Sequence, residues 1–259
     1  MIYPITPSML QEDILYGHVY PDLEQTLFWS PQWDPDFYID LARAGFISIS
    51  HAHPDHGSVQ IAELQASYAV LDWENLHRSG HLRRLIRSGR LEEEGIELHV
   101  SSSCERVIER LIDYHRPGTW LSPPYRTLLG ELSGGDQAHF GLRATELWSR
   151  KHDYLIAGEL GYTIGKTYTS LSGFTTRPNR QWRHFGTLQL VMLAERLRDH
   201  GFAFWNMGHT RQRYKLALGA RVIPRGDFLK RWLLARDQVP DNLSTTAYVG
   251  TVGAAGTVG

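Results

Sequence analysis

The fold of this chain is decided by one stretch, residues 202–232, with the sequence FAFWNMGHTRQRYKLALGARVIPRGDFLKRW. Its apolar start, residues 202–207, predicts a buried strand. A polar turn follows, and residues 215–225 then contain the run L-G-A-x-x-I-P-R. Residues 226–236 have the pattern of a last helix. The stretch therefore predicts a strand and a helix that complete the folded part of the chain.

The composition is that of a folded protein with room for a core. The chain has 259 residues, of which 42% are hydrophobic and 21% charged. Its single cysteine, Cys104, excludes an internal disulfide and favours a reducing, cytoplasmic setting. No membrane segment or signal peptide is expected from the sequence. Because the formal net charge is −1, an RNA partner would need a local basic patch, and no DNA partner is expected.

The two halves of the chain have different patterns. Three strands joined by tight turns are predicted at 143–148, 154–164 and 167–171, followed by a helix at 185–200 and the strand at 202–207. This order is typical of the α+β class, with a mixed, mostly antiparallel sheet and packed helices. A glycine-bearing loop at 133–140 is the predicted boundary. We therefore expect a smaller α/β N-terminal domain at 1–132, a second domain at 142–238, and a disordered low-complexity tail at 239–259.

A histidine-rich loop follows the predicted strand 46–50. It contains His51, His53, Asp55 and His56. Imidazoles and a carboxylate on one loop can bind zinc, which lowers the pKa of a bound water and supplies hydroxide. The loop thus permits an alternative function, a zinc hydrolase of the metallo-β-lactamase type. The further metal-binding strands of that class are not recognisable downstream, so the main expectation is a solvated turn and no cofactor.

A helix predicted at 73–88 carries the densest positive charge in the chain. Its cationic side chains are His77, Arg78, Arg83, Arg84 and Arg87. Such a face can bind nucleic-acid phosphates. A solvated charged face explains the same pattern equally well.

Short motifs in one order along the chain carry a family resemblance. They are G-T-W-L at 118–121, E-L-W at 146–148, S-G-F-T at 172–175, L-G-A at 218–220 and I-P-R at 223–225. In this order they resemble the leucyl/phenylalanyl-tRNA–protein transferase family, which has an acetyltransferase-like (GNAT) fold. The resemblance implies transfer of a Leu- or Phe-like aminoacyl group from aminoacyl-tRNA to the N-terminal amine of a protein or peptide.

The resemblance also implies roles for particular residues. The basic helix would bind the acceptor stem, and Trp120 would stack on the terminal adenine or the aminoacyl ester. Leu171, Phe174 and Met192 would line an apolar pocket for the transferred side chain. Ordinary core packing remains an alternative for all four residues.

Two departures from the family pattern concern the chemistry. Asn206 stands where the family has an aspartate, and Leu171 replaces a glutamate. Asn206 can orient an amine or a carbonyl but cannot take a proton. His209, three residues further on, is the candidate base, since the pKa of histidine lies near working pH. Donor and acceptor therefore stay open, and a non-catalytic tRNA-binding relative is a further alternative.

Overall fold

The computed structural model describes residues 2–137, 139–176, 180–239 and 243. Its strands are β1 (Tyr3–Pro4), β2 (Leu27–Ser30), β3 (Ile47–His53), β4 (Gly57–Glu63), β5 (Ser67–Leu71), β6 (Ile96–Ser101), β7 (Asp136–Gln137), β8 (Phe140–Ser149), β9 (Tyr154–Ile164), β10 (Thr167–Thr175), β11 (Phe204–Gly208) and β12 (Arg221–Pro224). Its α-helices are α1 (Glu12–Ile14), α2 (Pro35–Arg43), α3 (Gly80–Arg87), α4 (Arg90–Glu94), α5 (Glu105–Tyr114), α6 (Pro123–Glu131), α7 (Phe185–Asp199), α8 (Arg213–Leu218) and α9 (Arg225–Ala235). Short 3₁₀ helices lie at Pro7–Leu10, Trp73–Asn75 and Arg180–Trp182, and a π-helical turn at Leu15–Val19.

The strands form two sheets. The smaller has the order β1-β2-β4-β3, and the larger has the order β12-β5-β11-β10-β9-β8-β6, with β7 paired to β8. Within the larger sheet β10 and β11 run parallel, and the other described pairs are antiparallel. The predicted α+β class with a mostly antiparallel sheet and packed helices is therefore confirmed. The meander β8-β9-β10, helix α7 and strand β11 follow one another as predicted.

The larger sheet is covered on both faces. Along β5, Tyr68 and Val70 belong to one hydrophobic core, whereas Ala69 and Leu71 belong to a second. Because side chains alternate across a strand, the two cores lie on opposite faces of the sheet. Helices α2, α5, α6 and α9 pack in the first core, and α7 packs in the second. Burial on both faces explains why β9 is an almost continuous apolar run.

The predicted domain boundary does not separate the two sheets. Strands β5 and β6 come from the predicted N-terminal domain, yet both are hydrogen-bonded into the larger sheet. The predicted loop at 133–140 contains the short strand β7. The predicted tail, 239–259, lies outside the described residues except for 239 and 243. In the described part of the chain, no helix is long and apolar enough to cross a membrane.

The glycine of the L-G-A run is required by its position. Gly219 has φ of 109°, and a Cβ built on it would lie 1.8 Å from the carbonyl oxygen of Asn75. Both the backbone conformation and the lack of space exclude any other residue. Its neighbours Leu218 and Ala220 are buried in the second core. This part of the motif therefore stabilises the contact between α8 and the segment before α3.

The arginine of the I-P-R run is also structural. Arg225 is 0% exposed. Its guanidinium donates to the backbone oxygens of Leu64 at 2.6 Å and Gln65 at 2.9 Å, and also to that of Asp22. One buried side chain thus joins α9 to the N-terminal segment and to the connection between the two sheets.

The basic helix is shorter than predicted. It begins at Gly80, where the hydroxyl of Ser79 accepts a hydrogen bond from the backbone N–H of Leu82 at 3.2 Å. Trp73–Asn75 form a short 3₁₀ helix, and residues 76–79 do not continue it into α3, because the backbone N–H of His77 donates to the carbonyl of Leu218 at 2.8 Å. This tertiary hydrogen bond takes the place of a helical one.

Candidate active site

A cavity opens where two parallel strands stop pairing. Strands β10 and β11 are in register only from Thr167 and Phe204 to Thr169 and Asn206. Beyond this point β10 has an irregularity in its pairing with β9, between Ser170 and Ser172. The following residues of both strands line a cavity of about 960 Å³. The divergence of the two strands therefore creates the site.

The cavity lining contains both apolar and ionisable side chains. The apolar lining includes Ile47, Ile49, Ile156, Leu171, Phe174 and Leu190. The ionisable lining includes Glu63, His115, Glu159, Arg180, Arg183, His184, His209 and Lys215. Such a combination can bury an apolar group while it orients a polar one.

Glu159 is a buried carboxylate in the cavity wall. It is 3% exposed and lies on β9. Its Oε1 accepts hydrogen bonds from the hydroxyl of Ser170 at 2.7 Å and from that of Tyr168 at 3.2 Å. Burial raises the pKa of Glu159 to about 7, although both hydrogen bonds and the charge of Lys215 act in the opposite direction. The group can therefore exchange a proton near neutral pH.

Lys215 is a buried amine in the same cavity. It is 5% exposed, and its Nζ donates to the backbone oxygen of His209 at 2.9 Å and to that of Met207. Burial lowers the pKa of Lys215 to about 8, and the charge of Glu159 opposes this shift. The two groups thus influence each other's ionisation across the cavity.

His209, the predicted base, lines the cavity as well. Its Nε2 lies 3.0 Å from Oε2 of Glu63, and its side chain is 48% exposed. A carboxylate partner can orient the ring. The geometry is compatible with a proton-transfer role, which stays a prediction.

Asn206 does not line the cavity, in contrast to its predicted catalytic position. Its side chain is buried, with the residue 1% exposed. Its Nδ2 donates to the hydroxyl of Thr169 at 3.4 Å, and its Oδ1 accepts from the backbone N–H of Gly208 at 3.0 Å. The amide is therefore occupied at the point where β10 and β11 part.

The predicted aminoacyl pocket is only partly assembled. Leu171 and Phe174 line the cavity. Met192 does not, because its position on α7 faces the second core and leaves it 1% exposed. Trp120 also lies outside the lining, packed 5.4 Å from the ring of Tyr125. Packing against the core thus places the last two residues away from the site.

The predicted phosphate-binding residues divide into two groups. His77, Arg83, Arg84 and Arg87 are exposed, and we call the three arginines, which lie on α3, the basic surface. Arg78 instead forms an ion pair with Glu195, whose side chain is 5% exposed. The charge of Arg78 is therefore balanced within the fold.

The basic surface continues to the mouth of the cavity. His81 of α3 stacks on His184, with ring centroids 5.2 Å apart and an angle of 5° between the rings. His184 lines the cavity together with Arg180 and Arg183. Burial lowers the pKa of His184, and the positive charge of Arg183 and of His81 lowers it further. Arginine and histidine side chains therefore extend from α3 to the cavity lining.

The histidine-rich loop forms the hairpin turn between β3 and β4. The ring of His53 stacks on Trp29 at 4.9 Å, and the ring of His56 lies 5.0 Å from Trp29. The backbone N–H of Asp55 donates to Nδ1 of His53 at 3.2 Å, and His51 is exposed. Among the described residues, no group of three or more histidine, cysteine or acidic side chains could hold a metal ion. The loop thus packs on an indole ring, which the sequence pattern did not reveal.

Two buried ionisable residues of the cavity lining, Glu159 and Lys215, were not identified from the sequence. Glu159 is the one charged residue in the run YLIAGELGYTI of β9, and a lone charge in a buried strand was a usable signal. Lys215 had no such signal, because its environment depends on the turn that brings α8 under β11.

The family model described as leucyl/phenylalanyl-tRNA protein transferase matches residues 70–233. This range contains the cavity strands, α3, α7 and the L-G-A and I-P-R runs. The chain belongs to this family. A leucyl/phenylalanyl-tRNA–protein transferase of Thiobacillus denitrificans is 31% identical over 145 residues, which cover 55% of this chain and 58% of that protein. The match thus spans less than two thirds of that relative's length.

A second relative and a solved structure cover more of the chain. The protein of the same name from Pseudomonas aeruginosa is 29% identical over 174 residues, covering 66% of this chain and 69% of that protein. The solved structure is the C-terminal domain of a protein described as a lysylphosphatidylglycerol synthetase from Agrobacterium fabrum. The match covers 90% of this chain and 82% of that domain at 14% identity, with a TM-score of 0.43.

Proposed function

We propose that this protein transfers an aminoacyl group from aminoacyl-tRNA to the N-terminal amine of a protein or peptide in the cytoplasm. The observation that carries the proposal is the continuity of the basic surface with the cavity, through His81 and His184. The arginines of α3 would bind phosphates of the acceptor stem. The 3′ end of the tRNA would then reach the cavity past His81, His184 and Arg183.

The apolar lining fits the transferred side chain. Leu171 and Phe174, together with Ile47 and Ile49 of the same lining, form a surface that suits a Leu- or Phe-like group. Selection by such a pocket rests on hydrophobic contact, so it distinguishes large apolar side chains from polar ones more sharply than from each other.

The proposed reaction is the aminolysis of an ester and uses no metal or cofactor. The ester is already activated, and an α-amine has a pKa near 8, so a useful fraction is neutral at pH 7. Catalysis then depends on positioning and on stabilisation of the oxyanion.

The test is incubation of the full chain with tRNAs charged with labelled Leu, Phe, Met, Ser or Asp and with peptides of varied N-terminal residue. We expect labelled peptide from Leu- or Phe-tRNA and none from Ser- or Asp-tRNA, with product mass as the readout. A peptide with an acetylated N-terminus is the matched control and should remain unlabelled. Transfer from none of the charged tRNAs would contradict the proposal, and tRNA binding without transfer would favour a binding protein.

A further inference from the structure

We propose that Glu159 receives the α-amine of the acceptor and takes its proton. The proposal rests on the proposed function and names the residue that performs one of its steps. Asn206 and Leu171 cannot accept a proton. Among the described residues that line the cavity, Glu63 and Glu159 are the acidic ones. Glu63 is paired with His209 nearer the surface, which leaves Glu159 as the buried carboxylate.

The residue opposite Glu159 on the neighbouring strand is a glycine. Gly173 is its direct partner on β10 and also lines the cavity. A Cβ built on Gly173 would lie 3.8 Å from Cβ of Glu159 and 4.0 Å from its Cγ. Any side chain at position 173 would therefore begin beside the aliphatic part of Glu159, and glycine leaves this space open to a ligand.

The hydrogen bonds hold the carboxylate in one orientation. Both bonds that the described residues provide end on Oε1, from Ser170 and Tyr168. Ser170 is itself held by Nε1 of Trp205, which donates to its hydroxyl at 2.7 Å. The neutral α-amine can then donate to Oε2 of the ionised carboxylate without displacing a protein donor, and its lone pair remains free to attack the ester.

The surroundings keep Glu159 able to accept and to release a proton. The ionisable groups that face it are Tyr168 on β10 and Tyr214 and Lys215 on α8. His209 and Glu63 also belong to the cavity lining. Lys215 favours the ionised carboxylate, whereas burial favours the neutral acid. The balance of these two effects places the pKa of Glu159 in the range required of a general base at neutral pH.

The step conserves atoms and charge. The α-amine nitrogen attacks the ester carbonyl carbon, the C–N bond forms, and the carbonyl oxygen becomes an oxyanion. Glu159 takes the proton that the nitrogen releases. The oxyanion then collapses, the bond to the ribose oxygen breaks, and Glu159 returns the proton to that leaving oxygen. The products are the extended peptide and uncharged tRNA.

The test uses Glu159→Gln, which keeps an oxygen acceptor for Ser170 and Tyr168 but cannot take a proton. The matched control is Glu97→Gln, because Glu97 is also a buried glutamate of the larger sheet, 6% exposed, and lies outside the cavity lining. Transfer to a peptide should fall about 100-fold in the first variant and stay at the wild-type rate in the second.

Two further measurements separate a role in the reaction from a role in folding. The wild-type rate should rise as Glu159 ionises around pH 7, whereas Glu159→Gln should keep only the rise that follows the α-amine, whose pKa is near 8. Without any tRNA, the wild type should bind a peptide with a free N-terminus about tenfold more tightly than its N-acetylated form. The variant should lose this preference.

The outcomes distinguish this inference from the proposed function. A wild type that transfers no aminoacyl group, but whose preference for a free amine is lost in Glu159→Gln, would contradict the function and support the amine site. A variant that transfers at the wild-type rate would overturn the inference and leave the function intact. Slower transfer with an unchanged pH profile and an unchanged amine preference would also overturn it.

Discussion

Two ionisable side chains are held where burial disfavours the charge of each. The pKa of Glu159 is raised from 4.5 to about 7, and that of Lys215 is lowered from 10.5 to about 8. Shifts of this size on buried groups in a cavity are typical of functional sites. They are also statements about stability, since the folded and unfolded states then bind protons differently.

The raised pKa of Glu159 predicts that the folded chain loses stability between pH 4.5 and pH 7. In this range the folded chain keeps the proton of Glu159, whereas the unfolded chain has released it, so the free energy of unfolding decreases as the pH rises. The contribution of protonated Glu159 to the free energy of unfolding amounts to about 3 kcal/mol. It is fully present below pH 4.5 and is lost as the pH rises through about 7. We expect Glu159→Gln to lack this decrease.

Urea unfolding of the wild type and Glu159→Gln at several pH values between 4 and 8 would measure the effect. Glu97→Gln is again the matched control, because the pKa of Glu97 is lowered by its hydrogen bonds to Arg150 and His99 against the effect of burial. Parallel stability curves for the wild type and Glu159→Gln would contradict the prediction.

At the scale of elements, α3 has an apolar side turned to the protein and a cationic side turned to solvent. Leu82 is buried, while Arg83, Arg84 and Arg87 are exposed. Arg84 and Arg87 lie in the last turn of α3. Positive side chains near the C-terminal end of a helix are favoured by the helix dipole. The element is therefore stable without any ligand, and its charge remains available to one.

The double variant Arg84→Glu with Arg87→Glu should weaken binding of tRNA. If both arginines contact phosphates, the slope of log affinity against log salt should become shallower by about 2. Fluorescence anisotropy with labelled tRNA across a salt series would measure both quantities. The matched control reverses two exposed cations on other helices, Arg110 and Lys230, and should change neither. Equal effects of both double variants would mean that only net charge matters.

At the scale of the whole molecule, the I-P-R arginine connects parts of the chain that are distant in sequence. Arg225 is separated by about 200 residues from Asp22 and by about 160 from Gln65, and it bonds to the backbone of both. Backbone oxygens buried around it have no water to replace the guanidinium. The motif therefore fastens the small sheet and the N-terminal segment to the larger sheet.

Replacement of Arg225 by Met should destabilise the entire fold. The change leaves several buried carbonyl oxygens without a donor, and we expect a loss of about 3 kcal/mol or more. Arg221→Met, on the exposed edge of the neighbouring strand β12, should stay within about 0.5 kcal/mol of the wild type. Denaturant unfolding measures both. Similar stabilities for the two variants would show that the buried hydrogen bonds contribute little.

Local patterns in the sequence determined the elements and the family. Apolar runs and alternation predicted strands β8, β9 and β11, and helical spacing predicted α7. These patterns are readable because burial and backbone propensity act over a few neighbouring residues. The L-G-A and I-P-R runs were informative for the same reason, since Gly219 and Arg225 each satisfy one strict backbone requirement. The exposed arginines of α3 could also be recognised from their spacing.

The cavity was decided by the tertiary structure alone. Glu63, Glu159, His209 and Lys215 come together because β10 and β11 pair side by side and then part after Thr169 and Asn206. The same register buries Asn206 and places Met207 and Gly208 in the cavity lining, and core packing turns Met192 and Trp120 away. No local pattern contains this information, because the pairing and register of distant strands follow from hydrogen bonds and packing over the whole chain.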